Sequence, residues 1–291
     1  MHAFAEEWCF DMTPPSLLWL NGTLQAAHEA RLSPLDHGLL VGDGVFETLV
    51  ARAGHPFAAH EHYLRLQRSC ELTGLGCITE DLYNTSIRAV MQANDLQDAR
   101  IRITLTSGEG PLGSDRGAGK GTVLVVATPL KPWPPTENVY LAPWTRNSRG
   151  AMAGVKSVSY GENVRALLYA KERGCGEALV ANEYDQLCEG TGSNVFIVIG
   201  GQLKTPPLSS GCLAGITRQL VIEACAQAGI SCLEEAMPVS ILEECEEAFL
   251  TSSTRDVHPI ATLSGRTLHA PGPVTLTVQQ AFSGMAQLRP A

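Results

Sequence analysis

Lysine is scarce in this sequence: Lys120, Lys131, Lys156, Lys171 and Lys204 stand against 16 arginines. Lys120 lies in a glycine-rich loop, Lys131 precedes a proline, Lys171 has polar helix neighbours and Lys204 precedes a turn. Lys156 differs, with Met152-Ala-Gly-Val155 before it and Ser157-Val-Ser-Tyr160 after it. A lysine in apolar surroundings gives up its charge more readily, as Schiff-base chemistry requires; one that only snorkels keeps it. Further on, Glu189 sits at the glycine-rich turn Glu189-Gly-Thr-Gly-Ser-Asn194, between apolar stretches. The segment from Thr205-Pro-Pro to Gly215-Ile-Thr-Arg218 then runs from a strand end into a helix. Free N–H groups and a threonine hydroxyl at a helix start make an anion site. Each feature also has a plain reading, Glu189 as a turn residue and Gly215-Ile-Thr217 as an ordinary helix cap. In one chain and in this order, they outline a lysine, a carboxylate and a phosphate cup.

Other motifs fall away on context. Gly108-Glu-Gly-Pro-Leu-Gly113 spells a dinucleotide fingerprint, but Ser114-Asp-Arg-Gly-Ala-Gly-Lys-Gly121 cannot open the helix that fingerprint needs. Around Lys120 a P-loop lacks its first glycine, replaced by Ser114, and its Ser/Thr, replaced by Gly121. His60-x-His62 falls on a polar helix face without further ligands and reads as a solvated surface pair rather than a metal site. The net charge of −9 over 291 residues argues against a nucleic-acid surface. Nine scattered cysteines without a C-x-x-C fit a reducing cytosol better than a disulfide framework. The first 15 residues carry acids where a signal peptide needs basic residues, and no apolar run approaches the ~20 residues of a membrane span. The expectation from these features is a cytoplasmic protein.

Patterning supplies the elements that must position the site. Asn21-Gly22 within residues 18–24 marks a hairpin, and residues 44–50 read as a strand. Ala59 to Thr73 carries Tyr63, Leu64, Leu66, Cys70 and Leu72 at helical spacing, and residues 80–94 form a second helix. Residues 100–106 alternate strictly, with Arg100, Arg102 and Thr104 on one face and Ile101, Ile103 and Leu105 on the other. Residues 122–128 make another strand. Four prolines in Pro129-Leu-Lys-Pro-Trp-Pro-Pro135 mark a linker. Beyond it come helices over 163–173 and 217–228, strands over 177–181 and 248–251, and a hairpin around Gly200-Gly201. The expectation is an α/β (α+β) chain of two domains, residues 1–128 and 137–291, joined by residues 129–136.

Several of these motifs together resemble the fold-type IV pyridoxal-phosphate enzymes, the class IV aminotransferase family. They are Gly42-Asp-Gly-Val-Phe-Glu-Thr48, Glu61-His-Tyr-Leu-Arg-Leu66, Lys156-Ser-Val-Ser-Tyr160, Glu189-Gly-Thr-Gly-Ser-Asn-Val-Phe196, the segment from Thr205 to Arg218, and Phe249-Leu-Thr-Ser-Ser-Thr254. The likeness runs from Trp19 to Phe282. It implies a pyridoxal 5'-phosphate cofactor in the cleft between the domains and Lys156 as the Schiff-base lysine and proton carrier. Glu189 would pair with the pyridinium nitrogen so that the ring acts as an electron sink, and Tyr160 would bond the phenolic oxygen. Arg65 would reach the phosphate with its guanidinium fork, joined by the Ile216 and Thr217 backbone, the Thr217 and Ser253 hydroxyls, and Asn194, Leu213 and Gly215 nearby. A homodimer follows from the same likeness.

The likeness also bears on the reaction. A transaminase would pass an amino group from an amino acid or amine to a 2-oxo acid. A lyase releasing pyruvate from aminodeoxychorismate, and a D-amino-acid or (R)-amine transaminase, share the first steps and stay open. Phe46 and the tail Gly272-Pro-Val-Thr-Leu-Thr-Val-Gln-Gln-Ala-Phe282 resemble branched-chain aminotransferases, while Arg100 and Arg255-Asp256 depart from their pattern. Arg102 would hold the substrate carboxylate, with Phe46, Thr254 and Arg255 beside it. A non-catalytic binding protein on the same fold would lack Lys156 or Glu189, and both are present.

Overall fold

The computed structural model describes residues 16–288. In chain order, β1 (Leu17–Leu20), β2 (Thr23–Ala26), the short α1 (His37–Leu40), β3 (Gly44–Arg52), β4 (His55–Pro56), α2 (Ala59–Thr73), α3 (Glu80–Ala93), β5 (Ala99–Thr106) and β6 (Thr122–Pro129) build the first half. Its six strands form one antiparallel sheet in the order β2-β1-β6-β5-β3-β4. Asn21 takes a positive φ in the β1–β2 turn, as an Asn-Gly hairpin demands. β5 alternates as its sequence requires: Ile101, Ile103 and Leu105 enter the core, and Arg100 and Arg102 face outward.

α2 occupies the expected residues and ends at Gly74, whose φ of 67° closes the last turn. Its buried stripe, however, is His62, Leu66, Ser69 and Cys70, at i, i+4, i+7 and i+8, whereas Leu64 and Leu72 face solvent. The helix is rotated toward His62 because that side chain has a buried carboxylate to meet, Glu47 on β3. Leu66, Cys70, Tyr83, Ile87 and Val90 of α2 and α3 cover Leu49, Ile101 and Ile103 of the sheet.

The chain leaves the first sheet at Pro129 and enters the second at β7 (Glu137–Arg146). There follow α4 (Gly161–Lys171), β8 (Glu177–Asn182), β9 (Leu187–Gly190), β10 (Asn194–Ile199), β11 (Gln202–Thr205), α5 (Ile216–Gln227), β12 (Cys232–Glu234), β13 (Glu247–Ser252), β14 (Asp256–Leu263), β15 (Arg266–Thr267) and α6 (Pro273–Leu288). Eight of these strands run in the order β12-β11-β10-β13-β14-β7-β8-β9, with β15 paired to β14. The pairing is mixed: β11–β12, β14–β7 and β7–β8 are parallel. Helices α5 and α6 pack over Phe196, Val198 and Phe249, and α4 packs through Ala166 and Ala170 on Ala178 and Val180. The architecture is α+β.

One segment of the second half is stitched to the first sheet. Phe46 N–H donates to Lys156 O (2.9 Å), Val158 N–H donates to Gly44 O (2.9 Å), and Val45 bridges Ser157. The site lysine is therefore fixed by backbone bonds to β3. The eight cysteines among the described residues are free thiols, and no helix among them is long and apolar enough to cross a membrane. The acidic N-terminal stretch, residues 1–15, lies outside the described residues.

Candidate active site

A cavity of about 280 Å³ opens between the two sheets, walled by β3 and β5 on one side and by β9, β10 and the start of α5 on the other. Lys156 projects into it. Its Nζ lies 4.5 Å from the Phe46 ring centroid and 5.9 Å from that of Tyr160, and those two rings meet edge to face at 5.1 Å. Loss of solvation, reinforced by the Arg65 and Arg102 cations and opposed by Glu47 and Glu189, lowers the amine to about 8. That cause differs from the expected apolar flank. Met152 and Ala153 sit in a surface turn; of the flank only Val155 and Tyr160 line the cavity, and Phe46 and Glu47 of β3, Arg65 of α2 and Arg102 of β5 complete the lysine's surroundings. Tyr160 is pushed up to about 12, first by burial and then by Glu189, so its phenol remains a donor at neutral pH.

Glu189 ends up opposite the lysine because β9 and β10 are joined by the Gly190-Thr-Gly-Ser193 turn, which aims the last residues of β9 at the cavity. One carboxylate oxygen accepts from Leu213 N–H (2.9 Å), and the other lies 3.3 Å from Arg146 Nη2 on β7. Burial raises the Glu189 carboxyl, while Arg146 and the Leu213 amide pull it back. Asn194 Nδ2 donates to Leu213 O (2.9 Å), so Glu189 and Asn194 together fix that peptide. Gly215, the residue before α5, has no room for a side chain, since a Cβ there would strike the Asn194 carboxamide. No side chain caps α5, and Ile216 and Thr217 open it at the cavity wall.

Arg65 enters from α2. Its Nε and Nη2 donate to Glu47 (2.7 and 2.8 Å), and Nη1 donates to Ala214 O (2.9 Å), directly before the α5 start. His62 is not the solvated surface residue that its polar neighbours suggested. It is 1% exposed, its Nδ1 2.7 Å from Glu47 Oε2 and its Nε2 3.2 Å from Ser253 Oγ. His60 alone is exposed, and it pairs with Glu80. Because Glu47 is fully buried, Arg65→Ala is expected to strand its charge and destabilise the fold by about 3–5 kcal/mol. Denaturant unfolding checks this, and adding Glu47→Gln should recover part of the loss by removing the orphaned charge.

Arg102 lines the cavity with its guanidinium 3.6 Å above the Phe46 ring, Arg100 lies beside it, and Thr254 and Ser253 close the far side. Arg255 is a correction. It donates to Glu137 Oε2 (2.8 Å), lies 3.8 Å from Glu177, stacks 3.7 Å over Trp133, and does not line the cavity. Its side chain secures residues 133–137 instead of meeting a substrate, because two buried carboxylates claim it. Sequence reasoning missed Arg146, Glu47, His62 and Thr251. Thr251 contributes a buried hydroxyl without a partner to the cavity wall.

The model of the family described as Amino-transferase class IV matches residues 44–263, more than half of the chain. A putative branched-chain-amino-acid aminotransferase of Methanocaldococcus jannaschii is 33% identical over 91% of this chain and 94% of its own. A D-alanine aminotransferase of Bacillus licheniformis is 30% identical, covering 90% of this chain and 94% of its own. Among solved structures, the branched-chain aminotransferase of Thermoproteus uzoniensis with norvaline superposes with a TM-score of 0.87 at 29% identity, over 93% of this chain and 94% of that one.

Proposed function

The chain belongs to the class IV aminotransferases, which depend on pyridoxal 5'-phosphate, and we propose that it acts on branched-chain-like amino acids and their 2-oxo acids. The observation that carries the site assignment is one cavity holding Lys156 Nζ, the Glu189 carboxylate, the uncapped start of α5 and Arg65. Those groups fit the cofactor. The glycine cradle at Gly215 keeps side chains away from the α5 amides, and Thr251, whose buried hydroxyl has no partner, lines the same cavity. Pyridoxal 5'-phosphate, when bound, supplies an aldehyde for amines and a cationic ring that accepts the electron pair released when Cα loses its proton.

The chain's residues divide the remaining work. With the cofactor bound, Lys156 Nζ would hold its aldehyde carbon until an incoming amine displaces it there, and the freed amine would then take the substrate Cα proton and return it one position away. Its lowered basicity leaves a useful fraction unprotonated at neutral pH. Glu189 would keep the ring nitrogen protonated, and Tyr160 would donate its phenol proton to the ring oxygen. Arg65, the Ile216 and Thr217 amides and the Thr217 and Ser253 hydroxyls would take the phosphate, with Asn194, Leu213 and Gly215 shaping that cup. Phe46 packs over the lysine and against the substrate. A panel of L- and D-amino acids and (R)-amines, with pyruvate or 2-oxoglutarate as acceptor, tests the substrate class; preference for D-alanine over leucine, isoleucine and valine would reject it.

Arg102 on β5, with Thr254 across the cavity, holds the substrate carboxylate. A charge-assisted hydrogen bond contributes about 1.5–3 kcal/mol, so Arg102→Leu should raise KM for amino acids roughly 10- to 150-fold. Amines without a carboxylate should be spared in the donor half-reaction. Equal losses for both donor types would remove the assignment. The working unit is a homodimer, for which Leu112, 84% exposed in the loop between β5 and β6, offers apolar surface. Sedimentation at twice the chain mass would agree, and a monomer at working concentration would not.

A further inference from the structure

Arg65, on α2, and Ser253, just after β13, both line the cavity, and one buried acid–histidine pair ties them together. Glu47 takes two bonds from Arg65 and one contact, 2.7 Å, from His62 Nδ1; His62 Nε2 lies 3.2 Å from Ser253 Oγ. The Arg65 charge and the bonds from Arg65 and His62 outweigh burial and hold Glu47 far below the usual carboxylate range. An ionised carboxylate cannot donate, so His62 Nδ1 carries a proton. Nε2 then has two states. When neutral, it accepts the Ser253 hydroxyl proton, and Ser253 has none left for an anion. When protonated, it donates to Ser253 Oγ, which turns its own proton toward the cavity. A phosphate dianion accepts and does not donate, so only the second state lets Ser253 bind it.

We propose that Glu47 and His62 are positioning residues for the cofactor phosphate, and that His62 gains a proton at Nε2 when the phosphate dianion enters. The inference rests on the reading of Arg65, Ser253 and the α5 start as the phosphate cup. Before the anion arrives, burial first, then the Arg65 and Lys156 cations, press His62 toward the neutral ring against the pull of Glu47. Those three, from α2, the segment after β7, and β3, are the charged groups facing the imidazole, with Ser253 the polar neighbour beyond β13. A dianion beside Ser253 shifts that balance toward the imidazolium.

The test compares pyridoxal 5'-phosphate with pyridoxal on the cofactor-free full chain between pH 6.5 and 9, above the phosphate's own ionisation near about 6. The Lys156 contribution is common to both ligands, so their affinity ratio isolates the phosphate. That ratio should fall as pH rises, approaching about tenfold per unit where one proton is linked. Calorimetry in buffers of different ionisation enthalpy should show extra proton uptake for the phosphorylated ligand. His62→Gln, whose amide still donates to Ser253 but does not titrate, should flatten the ratio and abolish the extra uptake. A large but pH-independent ratio in the wild type, or unchanged uptake in His62→Gln, overturns the inference alone. Equal affinities for the two ligands at every pH overturn the phosphate cup and the inference together. Should His62→Gln fail to fold, the wild-type ratio and calorimetry decide.

Discussion

Lys156→Ala is expected to abolish transamination while leaving a folded protein. On the proposed assignment the amine holds the aldehyde and moves the proton, and no other lysine among the described residues lines the cavity. Loss of a positioned proton carrier alone costs about 10²–10⁴ in rate, and loss of the covalent tether adds to it. Stability should behave oppositely. The folded-state amine, lowered to about 8, lies below its unfolded value of 10.5, so between those values the unfolded chain binds more protons. Wild-type stability therefore rises with pH across that window, and the buried ammonium costs most below about pH 8. Removing it should leave the melting temperature of cofactor-free protein at pH 7 unchanged or higher, and should flatten the rise between pH 8 and 10.5. The checks are a yellow band that borohydride bleaches in the wild type and not in the variant, single-turnover rates, and thermal melts across pH. A variant that keeps a reducible band and full activity would place the nucleophile elsewhere.

The lysine was legible because it is rare and stands in an unusual local sequence, although the physical cause of its lowered basicity was not. That cause lies on β3, α2 and β5, whose side chains reach it only through tertiary packing. The same division recurs across the fold. The helix at Ala59–Thr73, the alternating β5 and the Asn-Gly and Gly-Gly hairpins follow from periods and turn chemistry that act within a dozen residues. β7 was missed because Pro143 and a register shift after Leu141 break its alternation, and its partners, β14 and β8, are parallel strands brought in from afar. With it went Arg146, the cation nearest Glu189. His62 was misplaced on the surface for a related reason: its partner, Glu47, lies on another element, and a hydrophobic-pattern reading treats both as solvated. Arg255 looked available because the sequence after Ser253 is polar; the two carboxylates that bind it lie 118 and 78 residues away. Short-range physics sets the elements, and the electrostatic pairs that tune the site are long-range.

Glu189→Gln is expected to retain the cofactor yet turn over about 10²–10³ more slowly, the loss seen when one group aimed at developing charge is removed. The carboxylate is the only acid among the residues that line the cavity, and it sits across from Lys156. Glutamine can still accept from Leu213 N–H, so the Asn194–Leu213 bracket and the α5 start should stay in place. With its one oxygen so engaged, its amide nitrogen faces Arg146, which lay 3.3 Å from a carboxylate oxygen and is left without that anion. Arg146 is 24% exposed, so solvent can screen that loss, and the change in stability should be small. Cofactor affinity should change little, because Lys156, Arg65 and the α5 amides are untouched. An amide is not a base, however, and cannot hold a proton on the ring nitrogen. On the proposed assignment the cofactor would then be a poorer sink for the electron pair, and proton removal by Lys156 should become the slow step. A substrate deuterated at Cα should accordingly show a larger isotope effect in the variant than in the wild type. Near-normal turnover with an unchanged isotope effect would reduce Glu189 to a turn residue, and the pairing with the ring nitrogen would have to be abandoned.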